Sequence, residues 1–158
     1  PQKPAELFTY SASTAVRVAL LNAGFHVAIG TGTGVTPYRA MLPQLKQLMD
    51  SRGVEVVLLF GSRTEEDLIY REDFYAFAAE NPKFRFMPCF SREVPANATA
   101  DARRGYVQEQ LAELVPNGAH DIAYLCGNPN MVDASFEALK EFGLSVQHIR
   151  REKYVSSK

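Results

Sequence analysis

A short apolar strand runs straight into a glycine-rich loop at His26-Val27-Ala28-Ile29-Gly30-Thr31-Gly32-Thr33-Gly34-Val35-Thr36-Pro37, and a helix is expected to open at Pro37. Three glycines at alternate positions let the backbone turn sharply and approach a ligand with no Cβ in the way. The helix behind them aims unpaired N–H groups and a partial positive charge at whatever sits there. That arrangement suits a phosphate or pyrophosphate. It departs from the usual dinucleotide fingerprint, which needs glycine at the sixth position, where this chain has Val35. Taken alone, such a loop serves equally well as a tight turn in an α/β protein.

The rest of the chain supplies the frame. Residues 54–60 form a nearly continuous apolar run ended by Gly61, residues 84–90 a second, and residues 121–126 a third, ended by Gly127. Runs without alternation predict strands buried on both faces, as in a parallel sheet covered by helices. Helical patterns lie between them over residues 37–49, 66–80, 103–114 and 129–142, the last closed by Gly143, and residues 144–149 read as a final strand. This alternation predicts an α/β fold: a doubly wound, mostly parallel, five- or six-stranded Rossmann-like sheet with helices on both faces. Residues 26–158 make the main domain. Residues 1–27 read as an extra strand (7–10) and helix (13–22) packed on it.

At 158 residues there is room for one full core and too little for two typical domains. A formal net charge of −1 argues against a general nucleic-acid binder. No apolar run approaches the about eighteen residues that span a membrane, and residues 1–12 are polar, with Pro1 and Pro4, unlike a secretory signal. Cys89 and Cys126 are far apart and lack metal-ligand spacing, so no metal is expected and a reducing, cytoplasmic compartment is. A chain beginning at Pro1 without Met reads as a fragment or a processed product.

Doubly wound sheets bind ligands beyond the C-terminal strand ends. Polar and glycine residues gather at that rim: Gly30, Thr31, Gly32, Thr33, Gly34, Val35, Thr36 and Pro37; Gly61, Ser62 and Arg63; Ser91 and Arg92; Cys126 and Gly127; and the tail after Ile149. An NAD site normally places a carboxylate at the end of the second strand, but Gly61-Ser62-Arg63 holds none. Ser91-Arg92 and Arg104 instead offer forked donors and a hydroxyl, which suit a phosphate monoester, and Tyr106 suits stacking on adenine. Arg103 and Arg104 are either solvated residues at a helix start or partners of an anion, since the dipole disfavours cations in a first turn. The balance points to a 2′-phosphate site, hence NADP(H) over NAD(H).

These residues resemble the NADP-binding domain of ferredoxin–NADP reductases and related flavoenzymes. The loop from Gly30 to Pro37 is similar to that family's pyrophosphate loop, Ser91-Arg92 to its Ser-Arg-Glu segment, and Arg104 with Tyr106 to its Arg-x-Tyr pair. Leu125-Cys126-Gly127-Asn128-Pro129 with Met131 resembles its Cys-Gly-x-x-x-Met motif, and Glu152-Lys153-Tyr154 its closing Glu-x-Tyr. The resemblance implies that Cys126 lies by the nicotinamide, that Tyr154 stacks on the flavin, and that Glu152 assists proton and hydride chemistry. It also implies hydride transfer between NADPH and FAD in the parent enzyme, with ferredoxin or flavodoxin as partner.

Two departures matter. The tail runs on as Val155-Ser156-Ser157-Lys158, and the family's FAD-binding barrel is absent from this sequence. Tyr10-Ser11-Ala12-Ser13 echoes the barrel's Arg-x-Tyr-Ser motif, but Phe8 stands where the arginine belongs. The expectation is an NADP(H)-binding module that does not itself hold FAD and is inactive without a flavin domain. Residues 1–27 resemble a segment of a tRNA-modifying S-adenosylmethionine-dependent methyltransferase, which would make the chain a chimera joined at the strand over residues 25–29. The alternatives are a working oxidoreductase whose flavin domain lies on another chain, and an engineered or recombined Rossmann-like chimera with no activity of its own.

Overall fold

The computed structural model describes residues 25–114, 116 and 121–154. The proposed N-terminal unit falls almost wholly outside them, as do residues 155–158. Six strands form one parallel sheet: β1 (Phe25–Thr31), β2 (Glu55–Ser62), β3 (Phe84–Phe90), β4 (Arg103–Arg104), β5 (Asp121–Gly127) and β6 (Ile149–Lys153). Their spatial order is β4-β3-β2-β1-β5-β6, with every pairing parallel. The expected α/β class and doubly wound sheet are therefore present.

The strand interiors explain the unbroken apolar runs. Along β2, Val56, Leu58 and Phe60 join one core, while Val57 and Leu59 join the other. Along β5, Tyr124 and Cys126 face the first core, and Ala123 and Leu125 the second. Alternate residues point to opposite faces, and both faces are covered, so neither set is polar. The first face is closed by α1 (Thr36–Ala40), α2 (Leu42–Arg52) and α3 (Arg71–Glu80), which contribute Tyr38, Leu45, Met49 and Phe74. The second is closed by α4 (Leu111–Leu114) and α5 (Pro129–Glu141), through Leu111, Val132, Phe136 and Leu139.

Several boundaries differ from the sequence pattern. The helix expected over 37–49 is two helices meeting at Met41, because Pro43 has no N–H to give and its ring crowds the carbonyl a turn back. The helix expected over 66–80 starts only at Arg71, after a 3₁₀ turn at Glu65–Asp67 and a left-handed Tyr70. The helix expected over 103–114 is largely something else: Arg103–Arg104 is an edge strand, Val107–Gln110 a 3₁₀ turn, and only Leu111–Leu114 is α-helical. The last strand starts where the one expected over residues 144–149 would end. Gly143, at φ 94°, ends α5, a 3₁₀ turn takes Val146–His148, and β6 begins at Ile149.

Candidate functional site

The chain winds outward from β1 through β2 and β3 to β4, then returns to pair β5 against the other side of β1. The strand order reverses between β1 and β5, the kind of switch point beyond whose C-terminal strand ends open α/β sheets bind their ligands. The glycine loop sits there. After β1 it forms a 3₁₀ turn at Gly32–Val35 and continues into α1, with Pro37 in the first helical turn, where its missing N–H costs nothing.

The three loop glycines do different work. A Cβ on Gly30 would lie 2.6 Å from Val35 Cγ1, and one on Gly34 would press on the Cys126 carbonyl and lie 2.6 Å from Gly127 Cα. Both are required by contact within the chain. Gly32, at φ 52°, has nothing within 4 Å of its Cβ position. It is the bare backbone turned toward open space. Val35, the apparent defect in the fingerprint, is fully buried in the first core and anchors the loop from below. Beside the loop, Gly127 at φ 135° brings β5 against Thr31, whose Oγ1 accepts the Asn128 N–H at 3.0 Å. Thr33 is exposed and Thr36 half-buried on the same loop.

Beside this loop lie the three residues expected at the hydride-transfer end. Cys126 and Glu152 are register partners on β5 and β6, and the Tyr154 N–H donates to the Gly127 carbonyl at 2.8 Å. The Cys126 thiol, 3% exposed, also shares a side-chain hydrogen bond with Tyr154. Beneath them is Tyr38, whose hydroxyl donates to the Ile29 carbonyl at 3.2 Å and whose surroundings include Cys126, Tyr124, Tyr154 and Glu152. Tyr38 and Tyr124 are components that sequence reasoning missed. Tyr124 had a signal, since it lies two residues before Cys126 and so shares its face of the strand.

Burial pushes the Cys126 thiol up to about 11, the Glu152 charge adding to the effect and the Tyr154 hydrogen bond opposing it. Burial also pushes Cys89, in the second core, up to about 12, with the Arg103 charge opposing. Both thiols are neutral at physiological pH. Because each folded value exceeds the ordinary one, their contribution to stability is complete below about pH 8.5 and is lost as pH rises toward the folded values. Native protein at pH 8 is expected to resist iodoacetamide, with labelling appearing in denaturant. Labelling of the native protein as fast as the denatured chain would contradict the buried, neutral thiols.

The other end of the rim is basic. β2 and β3 stay paired past their last strand residues: Ser91 N–H donates to Ser62 O at 2.9 Å and Arg92 N–H to Arg63 O at 3.1 Å. Gly105 N–H donates to Phe90 O at 2.9 Å, which seats Arg104 beside the same strand end. Gly105 takes φ 108°, and Tyr106 beyond it is 60% exposed, its N–H held by Glu109 Oε2 at 2.8 Å. Arg92 and Arg104 are exposed and have no carboxylate partner among the described residues. The Gln108 side-chain oxygen is buried, with no hydrogen-bond partner among the described residues.

Several expected site residues prove to have structural duties. Arg103 and Arg104 are not in a helix's first turn, so the dipole argument for an anion beside them falls away, and Arg103 is tied to Glu113. Arg63 pairs with Asp67 at 3.0 Å, and the Ser62 hydroxyl donates to Thr64 O at 2.6 Å. The Asn128 side chain caps α5 by accepting the Asn130 N–H at 2.9 Å. Met131 is core, taking a contact from Ser135 Oγ at 3.6 Å. Gly61 is needed where a Cβ would lie 2.9 Å from Thr31 Cγ2. Among the described residues there is no cluster of metal-ligating side chains, and no helix is long and apolar enough to cross a membrane.

Residues 28–136 match the family model described as "Oxidoreductase NAD-binding domain", and the chain belongs to that family. It is 35% identical over 133 residues to ferredoxin–NADP reductase B of Sorangium cellulosum, a match covering 80% of this chain and 52% of that protein. It is 38% identical over 128 residues to the reductase subunit of an aromatic O-demethylase from Amycolatopsis, covering 81% of this chain and 36% of that one. Among solved structures, Amycolatopsis cytochrome P450 reductase GcoB superposes with a TM-score of 0.68 at 34% identity, over 82% of this chain and 37% of the other. The chain thus spans about half or less of the length of these relatives. The family match leaves out residues 1–27, and these reductases lend no support to a methyltransferase-like joint there.

Proposed function

We propose that this domain binds NADP(H) and presents its nicotinamide for hydride exchange with a flavin held by another domain. The observation that carries the proposal is a glycine loop at the topological switch point together with two arginines, Arg92 and Arg104, at the C-terminal ends of β3 and β4, neither with a carboxylate partner among the described residues. The chain fits the cofactor in three places. Gly32 leaves room for a pyrophosphate to meet bare backbone, with Thr31 and Thr33 beside it. Arg92 and Arg104, with the Ser91 hydroxyl, supply forked and single donors for a 2′-phosphate. Tyr106 offers an exposed ring to adenine.

At the far end, Cys126 supplies an uncharged thiol in a buried slot, flanked by Glu152 and Tyr154. The bound nicotinamide supplies the hydride equivalent, and the protein supplies orientation and water exclusion. Cys126 and Glu152, register partners on neighbouring strands, would flank the nicotinamide, the thiol offering it an uncharged wall and Glu152 the nearest acidic side chain. By analogy with a ferredoxin–NADP reductase and the reductase subunit of an aromatic O-demethylase, the whole protein would pass electrons onward to a ferredoxin or an oxygenase component. Two free cysteines accord with a cytoplasmic setting.

Calorimetric titration of the purified chain with NADP⁺ and NAD⁺ tests the proposal. NADP⁺ is expected to bind tighter by roughly tenfold or more, the ratio that one charged hydrogen bond to the extra phosphate provides. Equal affinities would remove the 2′-phosphate assignment, and no binding of either would remove the function.

A further inference from the structure

Arg103 and Arg104 are neighbours in the chain with opposite fates. Arg104 stands in solvent with no carboxylate partner among the described residues, whereas every donor group of Arg103 is engaged. Its Nε and Nη2 form a fork with the two carboxylate oxygens of Glu113, the Nε bond measuring 2.8 Å. Its Nη1 donates to the Ala100 carbonyl at 2.8 Å and to the Ala102 carbonyl at 3.0 Å. Arg85, on β3, completes the network, donating to Asp101 Oδ1 at 2.9 Å and lying 3.7 Å from Glu113.

One guanidinium therefore joins β4, the end of the loop over residues 91–102, and α4, while a second joins them to β3. The location makes this consequential. β4 is two residues long and meets β3 only at Cys89 and Phe90. So short an edge strand has too few backbone bonds to fix its own position. Exposed ion pairs contribute little singly, but a bidentate fork within a four-charge network is the geometry in which they count. The fork also holds Glu113 below the usual carboxylate range.

We propose that Arg103 and Glu113, supported by Arg85 and Asp101, form a positioning latch that sets Arg104 for the 2′-phosphate, so that preference for NADP(H) depends on a carboxylate bonded only to protein. The inference rests on the NADP assignment above. Glu113 lies on the surface of a short helix, and Glu113→Ala leaves both apolar cores intact.

The test is calorimetry with NADP⁺ and NAD⁺ on the native chain, on Glu113→Ala, on Arg103→Lys, and on Asp50→Ala as a control that breaks an exposed ion pair on α2. Glu113→Ala is expected to weaken NADP⁺ roughly tenfold, the factor that one charged hydrogen bond supplies. NAD⁺ affinity should stay unchanged, since NAD⁺ has no phosphate for Arg104 to meet. Arg103→Lys should move the same way, because an ammonium cannot make the fork. Asp50→Ala should change neither affinity. Parallel weakening of both nucleotides would show a merely structural pair and overturn the latch, as would unchanged affinities. A native chain without NADP⁺ preference would overturn the assignment and the latch together, whereas a preference untouched by Glu113→Ala overturns the latch alone.

Discussion

Gly34→Ala is expected to cost about 3 kcal/mol or more of folding stability, at the upper end of what overpacking usually costs, and to abolish nucleotide binding. The new methyl would meet the Cys126 carbonyl group and Gly127 Cα, with the Cys126 carbonyl carbon at 2.7 Å. Those are backbone atoms at the end of β5, a strand bonded in register to β1 on one side and β6 on the other. They have no rotamer to change, so the loop must lift away from the sheet. Gly32→Ala is the informative contrast. Its Cβ meets nothing within 4 Å, and the only penalty is the left-handed backbone at φ 52°, about 1–2 kcal/mol. Urea denaturation of both variants separates the two causes. A Gly34→Ala protein as stable as the native chain would mean that the loop does not lock onto β5.

That contact also shows where sequence reasoning stops. The glycine loop is legible as a turn, and its neighbourhood as a nucleotide site, from the residues alone. The role of Gly34 is not, because its partner is 92 residues away and becomes adjacent only once β1 and β5 are side by side. Strands β2, β3 and β5 were legible because burial on both faces leaves a continuous apolar run. β6 was misplaced because it is an edge strand with Arg150 and Arg151 exposed, and only Ile149 deeply buried. Local pattern carries no mark of such a strand. β4 failed for a related reason: two arginines before a helical stretch look like a helix start, and only the Phe90 backbone turns them into an edge pair. Tyr38 carries no mark in the sequence, because it joins the same apolar core as Met41 and Leu45, where a core residue and a site residue look alike.

Replacing Arg92 and Arg104 together with alanine is expected to weaken NADP⁺ binding by about 3–6 kcal/mol, since hydrogen bonds to charged groups contribute about 1.5–3 kcal/mol each. That is roughly a hundredfold to ten-thousandfold in Kd, and NAD⁺ affinity should barely move. The choice of these two follows from what the other basic residues are doing. Arg63 is paired with Asp67, and Arg103 with Glu113, so removing either would leave a carboxylate without its partner near the nucleotide and confuse repulsion with lost contact. Arg92 and Arg104 have no such carboxylate among the described residues, and truncating them exposes nothing. The two sit on adjoining strand ends and would grip one phosphate, so the single variants should not sum to the double. The first arginine removed lets the second recentre on the phosphate, and the second removal takes the larger loss. Single variants that sum to the double would place the arginines on separate groups of the ligand. Loss of NAD⁺ affinity in parallel with NADP⁺ would mean that these side chains hold the pyrophosphate or shape the rim, and the preference for the phosphorylated cofactor would need another source.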